Sequence, residues 1–173
     1  MLDIQEMVVP SLSRKAIRGL AFRLRQALQL ENVLRFPIVE SMELLAATVD
    51  DFELEICTIG EMKHFHGLTM ENGIIRIRED VYLDAVKGDG CARDTMAHEL
   101  GHWLMHRGNK AHAKLAGGVV PAYASPEWQA KAFAGELLVP CHLITRTMSV
   151  REVAEKCGVS CSAAKYQLSK IPR

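Results

Sequence analysis

The sequence predicts an α+β fold in which helices surround a small sheet, and two observations carry that expectation. Runs of helical character extend over residues 16–28, 91–106 and 125–138. By contrast, Phe52–Ile59 and Gly73–Arg78 alternate apolar and polar residues with a period of two, and the turn signal Glu71-Asn72-Gly73 precedes the second segment. Together these two segments suggest a small antiparallel sheet.

In chain order, the first element is an amphipathic helix. Ala16, Ile17, Leu20, Ala21, Leu24 and Leu28 share one face, while Arg14, Lys15, Arg18, Arg23 and Arg25 are expected to form mostly a solvated basic face on another. The two alternating segments follow, then a Gly/Asp loop at Lys87–Gly90 and the helical run from about Cys91 to His106. Two Gly and a Pro make Leu115–Ala124 an apolar loop. Ser125 as N-cap, Pro126 at the first helical position and Glu127 in the first turn announce a second long helix, which should stop at Leu138, before Pro140. From Val150 onward the chain reads as helix, turn, helix: Gly158 makes the turn, and Ser160 caps a helix bearing Lys165, Gln167 and Lys170. Residues 1–147 are accordingly expected to form the main domain. Residues 148–173 form a helix-turn-helix-like segment packed on it.

The 173 residues and their 49% apolar content suit one compact domain with a small appendage. Twenty-one Lys and Arg balance 21 Asp and Glu, so the global charge of a dedicated nucleic-acid binder is absent. The neutrality is a sum of segregated blocks, with seven acids and no Lys or Arg over residues 38–61 and six bases against two acids over residues 141–173. No run approaches 18 apolar residues, and no basic stretch followed by an apolar one opens the chain. A cytoplasmic protein with no membrane partner is expected. The five scattered Cys are expected to be reduced and mostly buried.

Chemistry concentrates in His98-Glu99-Leu100-Gly101-His102, an HExxH motif. Two His four residues apart project from one helix face on successive turns and can converge on one zinc, while Glu99 is rotated by about 100° and can face the bound water. A third protein ligand is needed if one position is to remain open for water. Counting 100° per residue, Glu127 shares a stripe with Ala130, Ala134, Leu137 and Leu138, whereas Glu136 falls about 180° away. An acid on a buried stripe needs a compensating charge, which a metal supplies. Glu127 is therefore the expected ligand and Glu136 a surface residue. His106 lies about 12 Å along the axis from His98, too far for a shared metal, and is expected to pack beside or behind the ligands. His64, His66, His112 and His142 are not expected to bind.

With these residues in view, the chain resembles the ImmA/IrrE family of metallo-endopeptidases. The likeness is carried by Gly67-Leu-Thr through Ile75-Arg-Ile-Arg78, by Arg93-Asp-Thr-Met-Ala-His-Glu-Leu-Gly-His-Trp-Leu-Met-His106, and by Glu127-Trp-Gln-Ala-Lys-Ala-Phe-Ala-Gly-Glu-Leu-Leu-Val-Pro140. It spans about residues 50–170. The resemblance implies a zincin-like fold, with His98, His102 and Glu127 as zinc ligands and Glu99 as catalytic acid/base. Members of the family are bacterial or phage-encoded and often cleave a helix-turn-helix repressor, which makes a transcriptional repressor the expected protein substrate.

In such a mechanism Glu99 takes a proton from the attacking water and returns it to the leaving amine. Tyr123 is the candidate side-chain donor to the oxyanion. An extended substrate would add a strand to a sheet edge near Gly73–Arg78. For the C-terminal segment, packing on the protease or holding a protein substrate is the leading reading, and a DNA contact the lesser one. The competing class is a non-catalytic DNA- or protein-binding regulator with a structural metal. A closed structural site would leave Glu99 without a role.

Overall fold

A computed structural model describes residues 7–107, 112–113 and 121–172. In chain order the elements are β1 (Met7–Val8), α1 (Arg14–Ala27), α2 (Ile38–Thr48), β2 (Glu53–Cys57), α3 (Ile59–Met62), β3 (Gly67–Thr69), β4 (Ile74–Arg78), α4 (Glu79–Lys87) and α5 (Gly90–His106). They are followed by β5 (His112–Ala113), a 3-10 turn (Ala122–Ala124), α6 (Pro126–Leu138), α7 (Val150–Cys157) and α8 (Cys161–Leu168). Of the expected loop at 115–124, residues 115–120 lie outside the described residues, and Ala122–Ala124 form the 3-10 turn.

Local sequence sets the helix starts. Asp89 accepts from the Ala92 amide at 2.8 Å to open α5, Ser125 from that of Trp128 to open α6, and Ser160 from that of Ala163 to open α8. Between α7 and α8, Gly158 turns the chain at a φ of 66°, a left-handed conformation that glycine adopts without steric cost.

The main sheet has the order β2-β4-β3. β2 runs parallel to β4, with Leu54 opposite Ile75, and β3 runs antiparallel to it, with Leu68 opposite Arg76. The sheet is thus mixed rather than antiparallel throughout. The turn signal does close a hairpin, with Gly73 at a φ of 91° donating to the Met70 carbonyl, but the hairpin joins β4 to the three-residue β3 instead of to β2. Because β4 is central, Gly73–Arg78 offers no free edge, and the expectation that a substrate pairs there is overturned. β1 and β5 form a separate antiparallel pair.

α5 lies between the sheet and α6, and α6 lies between α5 and α1. The core runs continuously through Ile17, Met42, Ile75, Ile77, Leu100 and Phe133. It extends into α7 and α8 through Val153, Cys157 and Ala164. Arg93 of α5 ties that end down, donating to the carbonyls of Gly158 at 2.8 Å, Cys157 at 3.3 Å and Phe36 at 2.8 Å.

This layering corrects three expectations. Glu136 is buried, not superficial: α6 packs on two sides, and the carboxylate accepts from Arg14 Nε at 2.8 Å and Arg18 Nε at 2.7 Å. The basic face of α1 is consequently only partly solvated. Arg25 is itself fully buried on the stripe of Ile17 and Ala21, where it donates to the Leu137 carbonyl. Burial lowers its pKa to about 10, so it remains charged at neutral pH. As for the cysteines, all five are free, but Cys157 alone is buried and Cys91 and Cys161 are exposed. Among the described residues, no helix is long and apolar enough to cross a membrane.

Candidate metal centre

α5 and α6 together build the site. On α5, the four-residue spacing of His98 and His102 sets their rings edge to face, with centroids 4.7 Å apart, and brings their Nε2 atoms to 3.0 Å. The first turn of α6 lies against them. His98 Nε2 is 3.2 Å from Glu127 Oε2, and His102 Nε2 is 3.1 Å from Glu127 Oε1. The donor atoms of the three residues lie within 4.8 Å of one another. Gly101 permits this closeness: a Cβ there would sit 3.0 Å from Phe133 Cδ1 and 3.3 Å from the Ala130 backbone.

The electrostatics follow from the convergence. Hydrogen bonds from His102 and His98 hold the Glu127 carboxyl far below the usual carboxylate range. Burial opposes charging of His98, but Glu127, Glu99 and Asp94 outweigh it, and its pKa is raised. Two imidazole nitrogens facing one carboxylate form a donor set suited to a divalent cation, with His and carboxylate ligands of the kind zinc takes.

Glu99 lies beside this cluster, against the sheet. The Thr69 hydroxyl is 2.7 Å from Glu99 Oε2 and 3.0 Å from the Glu99 carbonyl oxygen, so it can donate to either. Gly67 leaves the space: a Cβ there would fall 2.6 Å from Glu99 Cγ and 3.0 Å from Oε1. β3, an edge of the three-stranded sheet, therefore shapes and orients the acid.

Behind His102, His106 lies with its Nδ1 at 2.9 Å from His102 Nδ1 and its Nε2 at 3.0 Å from Gln129 Oε1. Burial pushes the His106 imidazole down to about 4, against the raising effect of the Gln129 hydrogen bond. Gln129, 1% exposed, also donates to the carbonyls of Pro10 and Tyr123. Tyr123 thus reaches the site through its backbone, while its side chain is half exposed.

This arrangement agrees with a comparison across protein families. The model of the IrrE N-terminal-like domain, a peptidase family, matches residues 59–169. The chain belongs to this family. No single protein of curated function matches the chain. The IrrE-like region runs from α3 past the end of α8 and contains the whole donor cluster.

Three residues of this IrrE-like site escaped sequence reasoning as functional groups. Gly67 and Thr69 belong to a stretch that carried the family resemblance, so a signal existed without a role attached to it. Gln129 gave no signal beyond lying on the helix of Glu127.

Proposed function

We propose that this IrrE-like chain is a zinc-dependent endopeptidase acting on a regulatory protein, such as a helix-turn-helix repressor, in the cytoplasm. The carrying observation is the convergence of His98, His102 and Glu127 within 4.8 Å beside a fourth residue, Glu99, that is not one of the donors. Three protein ligands would leave a bound ion accessible to water, and Glu99, which is not among the donors, would have work there only if that water is to be activated.

His98 and His102 would hold the ion through Nε2, and Glu127 would hold it through its carboxylate. When bound, zinc supplies the Lewis acidity that acidifies a water and polarises a peptide carbonyl. Glu99 accepts the proton of the attacking water as the new C–O bond forms, and delivers it to the leaving amine as the C–N bond breaks. Thr69 keeps one Glu99 oxygen occupied, which fixes the carboxylate in orientation and leaves the other for the proton. The substrate lies extended along β3, the edge beside Glu99, in place of the buried β4. Tyr123 is the oxyanion donor, a role supported by its exposed side chain and its position four residues before Glu127. The exposed Lys165 of α8 and Lys170 just beyond its end are available to hold the substrate protein.

Cleavage of a purified repressor encoded beside this gene, followed by mass spectrometry, tests the reading. Discrete fragments should form with zinc, vanish on chelation and return when zinc is restored. Cleavage indifferent to the chelator would overturn the metal mechanism. No cleavage, with a salt-dependent shift of operator DNA instead, would favour a non-catalytic DNA-binding regulator.

A further inference from the structure

We propose that residues 7–12 are a positioning strap for the metal centre: they hold the connection between α5 and α6, and so keep Glu127 within reach of His98 and His102. The proposal rests on the metal-centre reading above.

α5 supplies the two histidines and ends at His106, while α6 supplies Glu127 and starts at Pro126. The N-terminal segment pairs with the described parts of the chain between them. Toward the α5 end, β1 pairs with β5, with Val8 opposite His112 and Met7 opposite Ala113. Toward the α6 end, the Val9 amide donates to the Ala124 carbonyl at 3.0 Å and the Leu12 amide to the Tyr123 carbonyl at 3.1 Å. Pro10 has no N–H and takes part through its carbonyl alone. α6 closes the loop of contacts: Gln129 Nε2 donates to the Pro10 carbonyl at 2.9 Å and to the Tyr123 carbonyl at 2.7 Å. Val9, Ala124 and Gln129 are all buried. A buried donor or acceptor left without its partner costs more than the bond contributes when made, so these contacts define one position for the turn.

That turn sets the start of α6. The Ser125 amide donates to the Ala122 carbonyl at 3.0 Å, and Ser125 in turn accepts from the Trp128 amide at its Oγ and from the Gln129 amide at its carbonyl. Glu127 is the second residue after this cap, so a displaced turn is a displaced ligand. The strap's far end is fixed to the same helix. Leu12 packs against the core, Ser13 caps α1, and Arg14 and Arg18 bond Glu136 in the last turns of α6. One continuous stretch, residues 7–18, thus grips α6 at both ends. The IrrE-like match begins at residue 59, so this stretch completes the site from outside the matched region.

Two measurements on the full chain test the strap. Zinc affinity is read by competition with a chromophoric chelator in Val9→Pro, which removes the amide donor, and in Val9→Ala, which keeps it while trimming the side chain. Val9→Pro should bind about tenfold more weakly, the lower end of the loss expected when an outer support of a metal site is removed, and Val9→Ala should stay nearer wild type. The second readout needs no substitution. Coupling between sites is reciprocal, so zinc must hold the strap as the strap holds the site: hydrogen exchange of the Val9 and Leu12 amides in the wild type should slow about tenfold on zinc loading. Val9→Pro binding no more weakly than Val9→Ala, or exchange at these two amides indifferent to zinc, would overturn the strap and leave the metal centre standing. Failure of the wild type to bind zinc, or undiminished binding by His98→Ala, would overturn the metal centre and the strap's role with it.

Discussion

Enlarging Gly101 should force apart the two helices that carry the ligands. A Cβ at this position meets Phe133 Cδ1 at 3.0 Å and the Cα and carbonyl oxygen of Ala130 at 3.3 Å. Carbon atoms prefer separations of about 3.5–4.0 Å. Two of the three obstructing atoms are backbone and cannot rotate away, and Phe133 is fully buried. Overpacking of this kind costs about 1–3 kcal/mol. Replacing a mid-helix glycine with alanine returns up to about 1 kcal/mol of helix propensity, so Gly101→Ala should lose only about 0–2 kcal/mol. Gly101→Val adds two further methyl groups and regains less propensity, so about 2–4 kcal/mol should be lost. At about 2–4 °C per kcal/mol for a chain of this size, the valine variant should melt roughly 4–16 °C lower in the presence of chelator. Because His102 is the next residue, separating the helices also draws the histidines away from Glu127, and zinc affinity should fall in the order glycine, alanine, valine. A valine variant with wild-type melting temperature and zinc affinity would refute the claim that this close approach sets the site.

Removing Glu136 by Glu136→Leu leaves Arg14 and Arg18 without their shared acid. A loss of about 2–4 kcal/mol in urea denaturation is expected, and an unchanged midpoint would contradict the ion-pair role. Thr69→Val removes the hydroxyl that orients Glu99, so cleavage should slow by about tenfold, as befits a hydrogen bond to a charged group, while zinc content stays stoichiometric. Slowing that tracks loss of metal would assign Thr69 to metal retention instead. Chelation should destabilise the folded chain itself: at a zinc concentration about 1,000 times Kd the bound ion contributes about 4 kcal/mol, and a melting temperature indifferent to chelator would deny that the ion binds the native state.

Helix ends were legible in the sequence because their signals are local. Ser125, Pro126 and Glu127 mark the start of α6 as the caps require. Glu127 was also legible, since its place on the apolar stripe brings it to His98 and His102. The same argument failed for Glu136 because it presumes that the face opposite the apolar stripe is the wet one, whereas on α6 that face is covered by α1 and the exposed position is Lys131. Arg25, eight residues after Ile17, lay on the core stripe in plain sight, but its burial depends on the Leu137 carbonyl that receives it. The sheet was misread where pairing is nonlocal. Three residues of β3 are too few to show alternation, and nothing near β2 specifies that it joins β4 in parallel. The contacts from Thr69 to Glu99 and from His106 to Gln129 each link residues more than twenty positions apart and exist only in the fold.

The most direct test compares wild type with Glu99→Gln, measuring zinc content by mass spectrometry and repressor cleavage on the same preparations. Glu99→Gln should keep one zinc per chain, because residue 99 is not among the ligands, and should lose cleavage by at least about 100-fold, the scale of general acid–base catalysis. Equal cleavage by the two proteins at equal zinc content would contradict the proposed role of Glu99 and the mechanism built on it.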